Sequence, residues 1–153
     1  MTYVRYEADR ASPGKAPTGI FGLANRLART GQLSSQDWAF WRAGNDWFDA
    51  AYPDPAAVDP TLFDKAVNPV VSCWFKESTA GHLLARVPGH LALLDRYGVG
   101  WVERRSPDPG VVLYLDDVQI VVRPHEKQVT ARESGNGGQT RRGRSGLKGG
   151  PTE

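Results

Sequence analysis

The sequence contains a single cysteine, Cys73, so no disulfide can form within the chain. This excludes the small disulfide-stabilised scaffolds and favours a reducing compartment. Long hydrophobic runs are also missing, since runs such as 111–115 fall far short of the ~20 residues that span a bilayer. The first ten residues carry four charged side chains and lack the apolar stretch of a secretory signal. We therefore expect a cytoplasmic protein that does not bind membranes.

The common catalytic signatures are missing as well. The chain has no HExxH zinc motif, no CxxC pair, no GxSxG nucleophile elbow and no glycine-rich phosphate loop. We therefore predict no metal site and no cofactor, and whether the protein is an enzyme stays open.

What the chain does have is an ordinary globular composition over most of its length. Of its 153 residues 40% are apolar and 24% are charged, and five Trp, five Phe and five Tyr can supply a core. From residue 123 onward seven Lys and Arg accompany three Glu, in a stretch rich in Gly and Ser that can bury little. We predict one domain at 1–124 and a disordered Gly/Arg-rich tail at 125–153.

Hydrophobic periodicity predicts the element order β-α-α-β-α-β-β-β. Alternating patterns indicate five strands, at 2–8, 70–76, 99–105, 111–115 and 118–123. Helical spacing indicates three helices: one over 19–30, one from Ser34 to the prolines at 53 and 55, and one from Ser78 or Thr79 to Gly98. The sequence thus combines both element types in one domain.

Capping and proline patterns refine these helices. Thr18 and Ser34 are placed to cap the first two helices. Pro88 lies inside the third, where it should cause a kink or a division into two short helices. One more helical turn is expected at 61–65.

The strand–helix–strand segment at 70–105 is typical of a right-handed crossover between parallel neighbours. The remaining strands are close enough in sequence to pair antiparallel. We therefore predict a two-layer α+β fold, with a mixed sheet of four to five strands and helices on one face.

Lys76 ends a predicted strand just before a predicted helix, and Ser78 and Thr79 add hydroxyl groups there. Anions bind beside exposed N–H groups at such strand ends. Together with Gln119 from a later strand, these residues are the candidate ligand-binding set. Cys73, in the same strand as Lys76, is expected to be a core residue whose thiol burial makes inert.

Two further groups of polar residues have structural explanations that we favour. Asp116 and Asp117 lie at a two-residue reversal, where Asp is a common turn residue, although a metal or substrate role is an alternative. His82, Arg86 and His90 recur every four residues. His82 and His90 would be roughly 12 Å apart at 1.5 Å per residue, too far to share an ion. We expect a solvent-exposed helix edge there.

Several of these residues form a pattern that resembles a family of uncharacterised small bacterial proteins. The pattern comprises CWFK at 73–76, His82, DPG at 108–110 and YxDDxQ at 114–119. It spans about residues 2–124 and implies a stand-alone bacterial domain. The family has no known activity, so the resemblance implies no mechanism. Leu115 stands where its pattern suggests a carboxylate.

Three function hypotheses follow. The first is a non-enzymatic binding module that contacts a protein or a small-molecule ligand near Lys76 and the 116–119 hairpin. The second is a small enzyme that uses side chains from three segments: Lys76, His82, Asp116, Asp117 and Gln119. The third is weak accessory binding of nucleic acid through the basic tail.

Overall fold

The computed structural model describes residues 1–125 and the backbone of residues 140–142. Within these residues six strands form one sheet: β1 (Tyr3–Ala8), β2 (Ser72–Lys76), β3 (Trp101–Ser106), β4 (Gly110–Leu115), β5 (Gln119–Pro124) and β6 (Thr140–Arg142). The strands lie in the order β4-β5-β2-β1-β3-β6. The predicted disordered tail at 125–153 lies outside the described residues, apart from its first residue and β6.

The described residues also contain five helices: α1 (Ile20–Arg29), α2 (Ser35–Ala51), α3 (Pro55–Val58), α4 (Gly81–Leu84) and α5 (Val87–Arg96). None of them is long and apolar enough to cross a membrane. Together with the sheet they confirm the predicted α+β class. Ser34 caps α2 as predicted, since its hydroxyl accepts a hydrogen bond from the Asp37 N–H at 3.1 Å. The predicted Thr18 cap is wrong, because Gly19 occupies the N-cap of α1 and no side chain caps that helix.

The third predicted helix is divided in two, as its proline suggested. α4 ends at Leu84, and α5 begins at Val87 with Pro88 in its first turn, where a missing N–H donor costs little. The helical turn predicted at 61–65 is wrong in position. The short helix is α3, which Asp54 begins by accepting a hydrogen bond from the Ala56 N–H at 3.0 Å.

The prediction of a mixed sheet with parallel neighbours is wrong, because β1 separates the two strands of the crossover. β1 pairs antiparallel with β3 over six residue pairs, from Tyr3–Ser106 to Ala8–Trp101. On its other side β1 pairs antiparallel with β2. β2 and β3 therefore run in the same direction without being neighbours. The connection from β2 to β3 passes over one strand position in the sheet, and β1 occupies that position.

The helices cover one face of the sheet, as predicted. Side chains of α1, α2, α4 and α5 form the main core with residues of β2 and β3, including Ile20, Leu27, Phe48, Leu83, Leu94, Phe75 and Trp101. A smaller cluster comprises Trp74, Ile120 and Val122, with Tyr3 packed on it. Phe75 belongs to the main core and Trp74 to the smaller cluster. Because consecutive strand residues point to opposite faces, the two clusters lie on opposite sides of the sheet.

Candidate functional site

β1 and β2 diverge soon after they pair, and a pocket opens where they separate. Val4 pairs with Phe75, but Glu7 forms its bridge with Gly19, just before α1, and not with β2. The neighbouring Ala8 N–H donates to the Thr18 carbonyl at 2.7 Å. The space left between the strands and α1 has a volume of about 420 Å³, which includes the open space at its mouth.

We call this space the Arg5 pocket. Its apolar wall comes from the start of α1 and from β2: Ile20, Phe21 and Phe75. Trp74 also borders the pocket, although its side chain packs on the other side of the sheet. Its polar lining residues come from β1, the end of α2, β2 and β5: Arg5, Tyr6, Tyr52, Cys73 and Gln119. The backbone of Gly19 completes the lining. Chemical groups from distant parts of the chain therefore meet in one concave site.

Arg5 holds the diverging segments together. Its Nε donates to Glu7 Oε1 at 2.6 Å, its Nη1 to the Cys73 carbonyl at 2.9 Å and its Nη2 to the Pro17 carbonyl at 2.6 Å. The guanidinium thereby replaces strand pairing where β2 has moved away from β1. A guanidinium has five N–H groups, so two remain beyond these three bonds.

Arg5 belongs to a buried cluster of charges. Glu7 is 1% exposed, and its Oε2 lies 3.6 Å from Arg104 Nη1. Burial raises the pKa of Glu7, against the opposing effect of the two guanidinium groups. Burial also lowers the pKa of Arg104, whose Nε has no hydrogen-bond partner among the described residues. When all three groups are ionised, the cluster has a net charge of one positive unit.

The other polar side chains of the pocket are neutral at pH 7. Burial raises the pKa of Tyr52 to about 12, and repulsion by Asp49, by Asp54 and by the thiolate that Cys73 forms at high pH adds to this shift. Burial also raises the pKa of the Cys73 thiol, although Arg5 opposes it, so the thiol should react slowly with thiol reagents. Among the residues that line the pocket, Arg5 is therefore the one that carries a formal charge.

The predicted ligand-binding residues do not all meet in this pocket. Gln119 lines it, whereas Lys76, Ser78 and Thr79 are not among the lining residues. The Lys76 N–H donates to the Val118 carbonyl at 2.8 Å, which places Lys76 beside the hairpin. The Thr79 hydroxyl donates to the backbone carbonyl of Asp117, in the turn of that hairpin. α4, the helix that follows, has four residues and begins only at position 81.

Asp116 organises the hairpin turn between β4 and β5. Its Oδ1 accepts hydrogen bonds from the N–H groups of Val118 and Gln119 at 2.9 and 3.0 Å. Its Oδ2 accepts from the Tyr114 hydroxyl at 2.7 Å and from Gln119 Nε2 at 3.0 Å. Burial alone would raise the pKa of Asp116, but these hydrogen bonds hold it below its ordinary value. Asp117 beside it is exposed.

His90 is buried with 1% of its surface exposed, so the predicted solvent-exposed edge is wrong for this residue. Its ring packs on Phe21, Phe40 and Phe48, with centroid distances of 5.1, 5.7 and 5.4 Å. Neither ring nitrogen has a hydrogen-bond partner among the described residues, and burial lowers its pKa to about 4. His82 is exposed. The described part of the chain holds no group of three or more His, Cys, Asp and Glu suited to a metal ion.

Local sequence patterns do not indicate Arg5, Tyr6 or Tyr52 as site residues. Arg5 alternates with apolar neighbours in β1, which is the pattern of a solvent-exposed strand face. The available signal was a pair of opposite charges, Arg5 and Glu7, in a strand that pairs on both sides. That signal depends on sheet order, which local periodicity does not give.

Comparisons with known proteins identify no relative. No family model, no curated protein and no solved structure matches this chain. The resemblance to an uncharacterised bacterial family therefore stays a prediction, and the geometry of the Arg5 pocket is the basis for a functional proposal.

Proposed function

We propose that the protein is a non-catalytic binding module of the bacterial cytoplasm that holds a small molecule in the Arg5 pocket. The observation that carries this proposal is that polar residues from β1, β2, β5 and the end of α2 line one pocket together with an apolar wall. Ligand pockets are typically lined by apolar side chains with a few polar groups that fix the orientation of the ligand. The composition of the Arg5 pocket fits this description.

Gln119 supports this location because it belongs to the predicted ligand-binding set and lines the pocket. Its amide nitrogen is held by the Pro53 carbonyl and by Asp116, each at 3.0 Å. A side chain that is already fixed loses little conformational entropy when a ligand binds. Lys76, Ser78 and Thr79 remain candidates for contacts outside the pocket.

An enzyme built on Lys76, His82 and Asp116 has less support. Asp116 accepts four hydrogen bonds that stabilise a turn, so proton transfer through it would disrupt the hairpin. His82 lies exposed on α4 and does not line the pocket. A buried and convergent arrangement is the usual setting for acid–base groups.

A fragment screen of the full chain tests the binding proposal. We expect at least one class of small molecule to shift amide NMR signals of residues that line the pocket. Because Cys73 is the sole cysteine and lines the pocket, the same ligand should slow its reaction with a thiol reagent.

The matched control for thiol protection introduces a cysteine outside the pocket. In a Cys73→Ala background, the exposed Gln36 on α2 is replaced by Cys, and its reaction should not respond to the ligand. If no fragment from a diverse library shifts pocket signals or protects Cys73, the proposed function is wrong.

A further inference from the structure

We propose that the ligand of the Arg5 pocket is a small organic acid with a flat apolar body, whose carboxylate contacts the Arg5 guanidinium. This inference rests on the proposed function, because it assigns a chemical class to the ligand of the same pocket. It differs from the anion site predicted at Lys76 in its location and in its cation.

The charge distribution favours an anion. No acidic side chain lines the pocket, and Arg5 is its charged lining residue. Behind Arg5, Glu7 balances only one of two guanidinium groups, since Arg104 contacts the same carboxylate. The electrostatic attraction of a bound carboxylate grows as water is excluded from the site. A ligand carboxylate would therefore offset the positive charge that this buried cluster retains.

The geometry leaves the guanidinium accessible. Its three hydrogen bonds occupy one N–H on each nitrogen, so Nη1 and Nη2 each keep one N–H. Carboxylates commonly bind two guanidinium N–H groups at once. Gly19, which shares the pocket with Arg5, has no side chain to cover this group. A Cβ there would lie 3.4 Å from Nη1, 3.6 Å from Nη2 and 3.7 Å from Cζ.

The apolar wall favours a flat ligand body. The rings of Phe21 and Phe75 are arranged edge to face with centroids 6.5 Å apart, and Ile20 adjoins them in the lining. Aromatic walls of this kind pack well against other rings. Because the volume of about 420 Å³ counts open space at the mouth, the enclosed part is smaller and admits only a small body, such as one ring or two fused rings.

Matched acid and amide probes test the charge of the ligand. The full chain is titrated with benzoate and benzamide, and with indole-3-acetate and indole-3-acetamide, while amide NMR signals and Cys73 protection are followed. We expect each acid to bind about tenfold more tightly than its amide, because hydrogen bonds to charged groups are the stronger class.

Two glycine variants test the contact with Arg5. Gly19→Ala keeps the charge and the three bonds of Arg5 but places a methyl group against the guanidinium. We expect it to weaken acid binding several-fold and amide binding much less. Gly81→Ala is the matched control, since nothing lies within 4 Å of its added methyl, and it should bind like the parent protein. Circular dichroism and the Tm establish that both variants fold.

The possible outcomes separate the two proposals. If amides bind in the pocket as tightly as acids, the anion inference is overturned and the proposed function stands. Equal losses for acid and amide in Gly19→Ala would overturn the assigned contact with Arg5. If none of the four probes binds but a positively charged or uncharged fragment does, the ligand class is wrong. If nothing binds at all, both proposals fail.

Discussion

The buried imidazole of His90 makes the stability of the protein depend on pH. In the folded state the pKa of His90 is about 4, whereas its ordinary value is 6.5. Above pH 6.5 both the folded and the unfolded state hold a neutral ring, and His90 has no effect on their balance. Between pH 6.5 and 4 the unfolded state takes up a proton that the folded state does not, so the free energy of unfolding falls as the pH is lowered.

We expect the free energy of unfolding to drop by about 2 kcal/mol between pH 7 and pH 5, at about 1.4 kcal/mol per pH unit below the ordinary pKa. Urea unfolding followed by tryptophan fluorescence measures it. The control is His90→Phe, which keeps a ring within the cage of Phe21, Phe40 and Phe48 but cannot titrate. The two proteins would lose stability equally on acidification if His90 were not responsible.

At the scale of elements, α2 and α5 approach each other closely through two glycines. A Cβ at Gly44 of α2 would lie 2.9 Å from Cε1 of His90 in α5. A Cβ at Gly89 of α5 would lie 2.8 Å from Cζ of Phe40 in α2. Each helix therefore presents a glycine to a ring of the other. Side-chain volume at these positions would push the helices apart.

Gly44→Ala should destabilise the protein, although alanine is the better helix former by roughly 1 kcal/mol. His90 cannot retreat, because three phenylalanine rings pack around it, and overpacking a core costs about 1–3 kcal/mol. We expect a net loss of about 1 kcal/mol in urea unfolding. Gly81→Ala, with open space around the added methyl, should show no loss. Equal stability of Gly44→Ala and the parent protein would contradict the close helix contact.

The hairpin between β4 and β5 offers a matched pair of neighbouring aspartates. Asp116→Ala removes the acceptor of four part-buried hydrogen bonds and should cost about 1–2 kcal/mol, because their donors lose their partner. Asp117→Ala alters an exposed side chain and should change stability by less than about 0.5 kcal/mol. Urea midpoints compare the two variants, and similar losses would show that Asp116 does not organise the turn.

At the scale of the whole molecule, β1 connects the two halves of the sheet. It pairs with β3 along its whole length and with β2 and Gly19 on its other side, whereas β4 pairs only with β5 among the described residues. Amide hydrogen exchange should therefore be slowest in β1 and fastest in β4, because central strands open only with global unfolding. Exchange in β1 that is as fast as in β4 would contradict this sheet order.

Local sequence patterns predicted most elements but not the arrangement that creates the site. The Ser34 cap, the division at Pro88 and the α+β class depend on residues close together in sequence, and the structure confirms them. The position of β1 between β2 and β3 depends on pairing between distant segments, which local periodicity does not encode. The burial of Glu7 and the role of Arg5 follow from that position, so they escaped prediction. The burial of His90 was not predicted, because the phenylalanine rings that surround it belong to α1 and α2.

The central place of β1 also bears on how the protein is made. The ribosome releases β1 well before it has synthesised either strand that will flank it. Until residue 76 has emerged, Tyr3–Ala8 has no strand to pair with, and its longer partner β3 is complete only at residue 106. Until then its apolar side chains stay exposed to chaperones or to unwanted pairing with other chains. The sheet on both sides of β1 should therefore be completed only after β3 has emerged.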